Sequence, residues 1–144
     1  MEHRIYKIKT KKQDTLHKLI LWVYPTGRTP PHIPERNANP LRGIQGLVLV
    51  YDITREKTFE NLPRWLDDAL KFSTDFPIAV AGNKIDIRES VTETINPERG
   101  REYAEQVSNE LNVPTLFLET SAKTGENIPE LLSQLVDMVI SNSK

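Results

Sequence analysis

The chain opens on a short alternation of polar and apolar positions. Along Arg4 to Thr10, Tyr6 and Ile8 fall on one side of an extended backbone, while Lys7, Lys9 and Lys11 fall on the other. This predicts an exposed strand whose lysines guard a sheet edge. Leu16 to Tyr24 (LHKLILWVY) predicts a second strand, joined to the first through the polar turn Lys11-Lys12-Gln13-Asp14. Pro25, Pro30, Pro31, Pro34 and Pro40 follow, and they exclude a regular helix or central strand there. A long loop is expected between Pro25 and Pro40.

The pattern changes at Gly46. Gly46 to Thr54 (GLVLVYDIT) is almost wholly apolar, as a strand covered on both faces of a parallel sheet must be. Leu62, Trp65, Leu66, Ala69 and Leu70 recur at helical spacing, predicting a helix from Leu62 to Phe72 with Asn61 as N-cap and Pro63 in its first turn. Pro77 to Ala81 (PIAVA) and Thr115 to Leu118 (TLFL) predict two further buried strands. Pro97 to Leu111 predicts a helix capped by Asn96, with Tyr103, Ala104, Val107 and Leu111 facing inward. Asn127 to Ile140 predicts the last helix, with Ile128, Leu131, Leu132, Leu135, Met138 and Val139 as its apolar stripe. Strands alternate with helices after the first hairpin. The expected class is α/β, a mostly parallel sheet flanked by helices, with an N-terminal antiparallel hairpin.

Length and composition narrow the functional classes. The 144 residues suit one domain, 1–144. A formal net charge of -1 gives no reason to expect nucleic acid or an anionic membrane as partner. The absence of cysteine excludes a disulfide framework, a thiol nucleophile, a thiolate metal site and a cysteine-linked lipid anchor in this chain. No signal peptide and no run long enough to cross a bilayer is visible, so the expected location is cytoplasmic.

Two constellations carry chemistry. Gly82-Asn83-Lys84-Ile85-Asp86 follows one predicted strand, and Glu119-Thr120-Ser121-Ala122-Lys123-Thr124-Gly125 follows another. Ligands of open α/β sheets bind outside the carboxyl ends of strands, where both segments stand. Guanine offers two adjacent donors, N1–H and the 2-amino group, and the Asp86 carboxylate can accept both. Adenine presents an acceptor at that ring position. Guanine O6 wants a backbone N–H, which the Ser121-Ala122-Lys123 turn can supply. Lys84 and Lys123 have stems able to cover the two ring faces, and Asn83 can tie the two loops together through its amide. Asp52 is read as a cap for the loop after its strand, Glu119 as a structural hydrogen-bonding residue, and Trp22 and Trp65 as core or core-edge residues.

Asn83-Lys84-x-Asp86 followed by Glu119 to Lys123 resembles the guanine-specificity motifs of the Ras superfamily, and their wording is most similar to the Rab branch. Leu47 to Thr54, Phe59 and Trp65-Leu66 resemble the fourth-strand and third-helix region of that branch, and Leu19 to Trp22 resembles the strand before its Asp-x-x-Gly motif. The resemblance implies a truncated small-GTPase fold and a site for GTP or GDP made of Asn83, Lys84, Asp86, Ser121, Ala122 and Lys123. It also implies effector or regulatory proteins as partners.

Other parts of the family pattern are absent. No stretch matches its phosphate cradle, Gly-x-x-x-x-Gly-Lys-[Ser/Thr]. The chain reads as starting beyond the family's first strand, phosphate loop and switch I. Where the family has Trp-Asp-x-Ala-Gly-Gln, this chain has Trp22-Val23-Tyr24-Pro25-Thr26-Gly27-Arg28. Val23 replaces the aspartate of the magnesium shell, and Arg28 stands near the glutamine that orients the attacking water. No catalytic or metal-binding residue is therefore expected, magnesium included, and nucleotide binding by these residues alone is expected to be weak. The alternatives are a pseudo-GTPase interaction module that does not bind nucleotide, and a fragment of a complete GTPase. Loss of a central first strand would also leave the hairpin to re-pair, detach or accept a strand from elsewhere.

Overall fold

The structure, a computed structural model, describes residues 4–12, 14–23 and 43–142. The expected Pro25–Pro40 loop, with Arg28, lies outside the described residues, as do the side chains of Trp22 and Val23. The chain divides into two compact units, Met1–Pro40 and Leu41–Lys144.

The first unit holds an antiparallel hairpin, β1 (Arg4–Lys12) and β2 (Thr15–Val23). Its ladder runs from Arg4↔Val23 to Lys12↔Thr15, so pairing continues closer to the turn than the apolar pattern predicts. Asp14 takes the left-handed conformation at φ 60°, which aspartate tolerates better than most residues. Leu16 and Ile20 are exposed.

The second unit contains a three-stranded parallel sheet: β3 (Leu47–Asp52), β4 (Ile78–Asn83) and β5 (Thr115–Thr120), in the order β3-β4-β5. Strand periodicity decides how the central strand β4 is covered. Ile78 and Val80 enter a core with Leu49, Tyr51, Leu62, Leu66, Ala104 and Val107. Ala79 and Ala81, on the opposite face, meet Leu131 and Leu135. Larger side chains thus face two helices, α2 (Leu62–Leu70) and α3 (Pro97–Leu111), and alanines let α4 (Ile128–Asn142) approach the other face. Burying one such Ile or Leu contributes roughly 1.5–3 kcal/mol.

The expected α/β class, a parallel sheet flanked by helices with an N-terminal antiparallel hairpin, is the one observed. Helix α3 has the expected bounds: Pro97 opens it and the Asn96 Oδ1 accepts from the Glu98 N–H at 2.9 Å. Two local expectations change. A short helix, α1 (Glu56–Glu60), precedes the predicted one, and Asn61 joins α1 to α2. Asn61 therefore has helical backbone angles (φ -83°, ψ -9°) and makes no side-chain cap; its carbonyl accepts from Arg64 and Trp65 instead. On α4, Val136 is buried and Leu132 only half-buried, because the inward stripe follows Leu131 and Leu135. Trp65 packs at the core edge, as expected.

Candidate functional site

β4 and β5 stay paired to their last residues, Gly82↔Glu119 and Asn83↔Thr120. The first residues of both motifs are therefore strand, not loop, and the two motifs leave the sheet side by side. The Asn83 Oδ1 accepts from the Ala122 N–H at 2.9 Å and from the Thr120 Oγ1 at 3.3 Å. The Ser121 Oγ donates to the Asp86 Oδ1 at 2.8 Å and accepts from the Thr124 N–H at 3.1 Å. Asn83, Asp86, Ser121 and Ala122 are thus brought together on one rim.

Each loop has its own internal support. Lys84 adopts a left-handed backbone (φ 77°, ψ 32°) and starts a 3-10 helix, Ile85–Ser90, which turns Asp86 toward Ser121. The opposite turn closes through Gly125 N–H to Ser121 C=O at 2.8 Å and Ser121 N–H to Glu126 C=O at 3.1 Å. The Asn127 Nδ2 donates to the Glu119 carbonyl at 2.8 Å. Ser121 is fully buried, whereas Lys123 is exposed on this turn.

The supporting residues extend beyond the motifs. Arg88 makes a forked ion pair with Glu119, its Nη1 donating to Oε1 at 2.6 Å and its Nη2 to Oε2, and Nη2 also donates to the Ile95 carbonyl at 3.3 Å. The pair fastens the 3-10 helix to β5 and gives Glu119 the structural role expected of it. Glu119 also holds the Arg88 guanidinium pKa above its ordinary value, against the opposing effect of burial. Tyr51 is buried beneath the rim, and burial, followed by the Glu119 charge, pushes its hydroxyl up to about 12. Its ring meets Phe59 edge-on at 5.0 Å. A Cβ on Gly82 would stand 2.8 Å from the Tyr51 Oη, and one on Gly100 would stand 2.4 Å from it. The sequence marks Gly82 only as the head of its motif and does not mark Gly100, although a lone glycine inside a buried strand or helix is a known sign of close approach.

Asp52 caps its loop as expected, its Oδ1 accepting from the Thr54 N–H at 2.9 Å and the Thr54 Oγ1 at 2.6 Å. It also meets Lys84, whose Nζ lies 2.8 Å from the Asp52 Oδ2. The described residues contain no cluster of three or more His, Cys, Asp or Glu placed to hold a metal ion, and no helix among them is long and apolar enough to cross a membrane. A recess between α3 and β5, lined by Arg101, Ser108, Thr115 and Phe117 among others, is a separate feature from the rim.

The two linked polar motifs stand outside the carboxyl ends of parallel strands, where ligands of open α/β sheets bind. The Ras family matches residues 35–141, most of the chain, and this chain belongs to that family. Its similarity is to Rab proteins. It is 37% identical over 114 residues to a putative Ras-related protein Rab-5B of Dictyostelium discoideum, covering 76% of this chain and 49% of that one. It is 36% identical over 99 residues to the Ras-related protein SEC4 of Candida albicans (68% and 43%). It is 40% identical over 100 residues to the Ras-related protein RABA1b of Arabidopsis thaliana (68% and 42%). The chain spans less than half the length of these relatives.

Proposed function

We propose that this Rab-like chain recognises the guanine base of GTP or GDP. The observation that carries the reading is the linkage of the two motifs: Asn83 to Ala122 and Asp86 to Ser121 bring a carboxylate and a tight backbone turn to one rim. One lone pair of the Asp86 Oδ1 is engaged by Ser121. A carboxylate has about four acceptor sites, so enough remain for N1–H and the 2-amino group of guanine. The Ala122 N–H already donates to Asn83. Guanine O6 therefore shares that donor or takes the neighbouring Lys123 N–H. Lys84 and Lys123 flank the ring, and family-type effector or regulatory proteins are the further partners.

Hydrolysis by these residues is read as impaired. The support is Val23 in place of the family's aspartate, Arg28 near its glutamine, and no Gly-x-x-x-x-Gly-Lys-[Ser/Thr] segment in the 144 residues. Base contacts alone must offset an association cost of about 4–15 kcal/mol, so Kd for these residues should be about 0.1 mM or weaker.

The test is titration of the chain with GMP, GDP and AMP, followed through backbone amide signals. Preference for GMP over AMP, shifts centred on Asp86, Ala122 and Lys123, and little gain from GMP to GDP are expected. Equal affinity for AMP overturns base recognition. A gain of about tenfold or more from GMP to GDP, some 1.4 kcal/mol, would reveal a phosphate site within these residues. Single-turnover assay with GTP should show no hydrolysis above background.

A further inference from the structure

Asp52 stands outside both motifs, at the carboxyl end of β3. All its polar atoms are engaged. Its N–H donates to the Thr58 Oγ1 at 2.9 Å, and its carbonyl accepts from the Arg55 N–H at 3.0 Å and the Thr58 Oγ1 at 3.2 Å. Thr54 occupies Oδ1 through its N–H and hydroxyl, and Lys84 Nζ occupies Oδ2. Lys84 is fixed at its other end too, by its left-handed backbone and by its carbonyl, which accepts from the Ile87 N–H at 3.2 Å. Its side chain is thus held at both ends, by the backbone next to Asn83 and by the Asp52 carboxylate.

We propose that Asp52 is a positioning residue for base recognition: by holding the Lys84 Nζ, it sets the Lys84 stem as a fixed rail for one face of the guanine ring. The proposal rests on the guanine reading and names a residue that the two motifs do not contain. The physical reason is preorganisation. A free lysine gives up rotamer freedom when it lies along a ligand, whereas a fastened one has lost that freedom beforehand. The Asp52 side chain is only 12% exposed and that of Lys84 is 50% exposed. The less exposed aspartate is therefore the anchor and the lysine the member it fastens. Burial alone raises the Asp52 carboxyl pKa, but hydrogen bonds from Lys84 and Thr54 outweigh it, so Asp52 remains an anion. A half-exposed ion pair adds little to global stability, which separates this role from a purely structural one.

The experiment pairs two readouts on the same chain. The first is carbon relaxation at the Lys84 Cε without nucleotide, with Lys123 as reference. The second is titration with GMP and AMP of the wild type, Asp52→Asn, Lys84→Met and the double variant. Asp52→Asn keeps an Oδ1 acceptor for Thr54 and removes the charge facing Lys84. Lys84 should be more rigid than Lys123 in the wild type and as mobile as Lys123 in Asp52→Asn. GMP affinity should fall roughly three- to tenfold in Asp52→Asn, and the same change should add nothing in the Lys84→Met background. Should Asp52→Asn not fold, Lys84→Met at its half-exposed site reads the same link, through a shift of the Asp52 carboxyl carbon signal and weaker GMP binding. A wild-type Lys84 as mobile as Lys123 overturns the proposal. So does an Asp52→Asn loss of equal size in the Lys84→Met background. A wild type without preference for GMP over AMP overturns the guanine reading and this role together. A wild type that prefers GMP while Asp52→Asn binds it equally well overturns only the role of Asp52.

Discussion

The two ends of β4 are held by different physics. At its start, Ile78, Ala79 and Val80 are completely buried, and apolar neighbours cover both faces. At its finish, Asn83 is half-buried and held by side-chain bonds to the β5 turn. The floor is non-directional: apolar volume of the right size satisfies it. The rim is directional, since each of its bonds needs a donor and an acceptor at one place. The floor should therefore govern stability and the rim should govern what binds.

The largest expected effect lies in the floor. Ile78→Ala removes a fully buried side chain and should destabilise the protein by about 2–5 kcal/mol in urea unfolding. A cost below about 1 kcal/mol would mean that β4 is not the centre of the core. Gly100→Ala comes next and sets two effects against each other. Alanine in a helix interior gains about 1 kcal/mol in propensity over glycine. Here its Cβ would stand 2.3 Å from the Phe117 Cε2 and 2.4 Å from the Tyr51 Oη. Overpacking at that depth costs about 1–3 kcal/mol, so the net change should be destabilising, and a raised Tm would refute the close packing beneath the rim.

The rim variant should be smaller in stability and larger in binding. Asn83→Ala removes the acceptor for the Ala122 N–H, and Ala122 is exposed enough for water to replace it. The expected loss is about 1 kcal/mol of stability. Amide exchange at Ala122 should accelerate, and GMP-induced shifts should disappear. If exchange at Ala122 does not change, the two motifs are not linked through Asn83.

The smallest effect is a pH dependence. The Asp52 carboxyl pKa lies below its ordinary value. A depressed carboxylate contributes stability that is fully present above the unfolded pKa, about 3.9, and is lost as pH falls through the folded value. A carbon titration of the Asp52 carboxyl should therefore have its midpoint below that of an unfolded aspartate. A midpoint at or above the ordinary value would remove the Lys84 link.

The contrast between floor and rim also explains how much the sequence revealed. Periodicity reports burial, so the existence and apolar centres of β3, β4 and β5 and the α3 stripe are legible in the sequence. Proline after a capping asparagine placed the start of α3 at Pro97. Glu56–Glu60 has no apolar stripe long enough to show a helix, so α1 is invisible to periodicity, and Asn61 has the pattern of a cap although it is a joint. The apolar pattern stops short of the ends of β4 and β5 because Asn83 and Thr120 are polar, although their ladder continues. At the rim, the motif residues were legible as types in order. The Arg88–Glu119 pair, the Lys84–Asp52 link and the packing of Tyr51 between Gly82 and Gly100 were not, since each joins distant segments and none has a local spacing.

The central claim is that Asp86 reads the base, and exchange of its carboxylate for an amide tests it most directly. Asp86→Asn replaces an acceptor with a donor, and xanthine replaces the 2-amino donor of guanine with an acceptor. The measurement is the affinity of wild type and Asp86→Asn for GMP and for XMP, by calorimetry or by amide-shift titration where binding is weak. The wild type should prefer GMP. The variant should lose GMP affinity by about tenfold or more, as expected when the donors of a bound guanine face an amide donor instead of a carboxylate acceptor, and should prefer XMP. Unchanged GMP binding in Asp86→Asn, or no reversal toward XMP, would contradict the account.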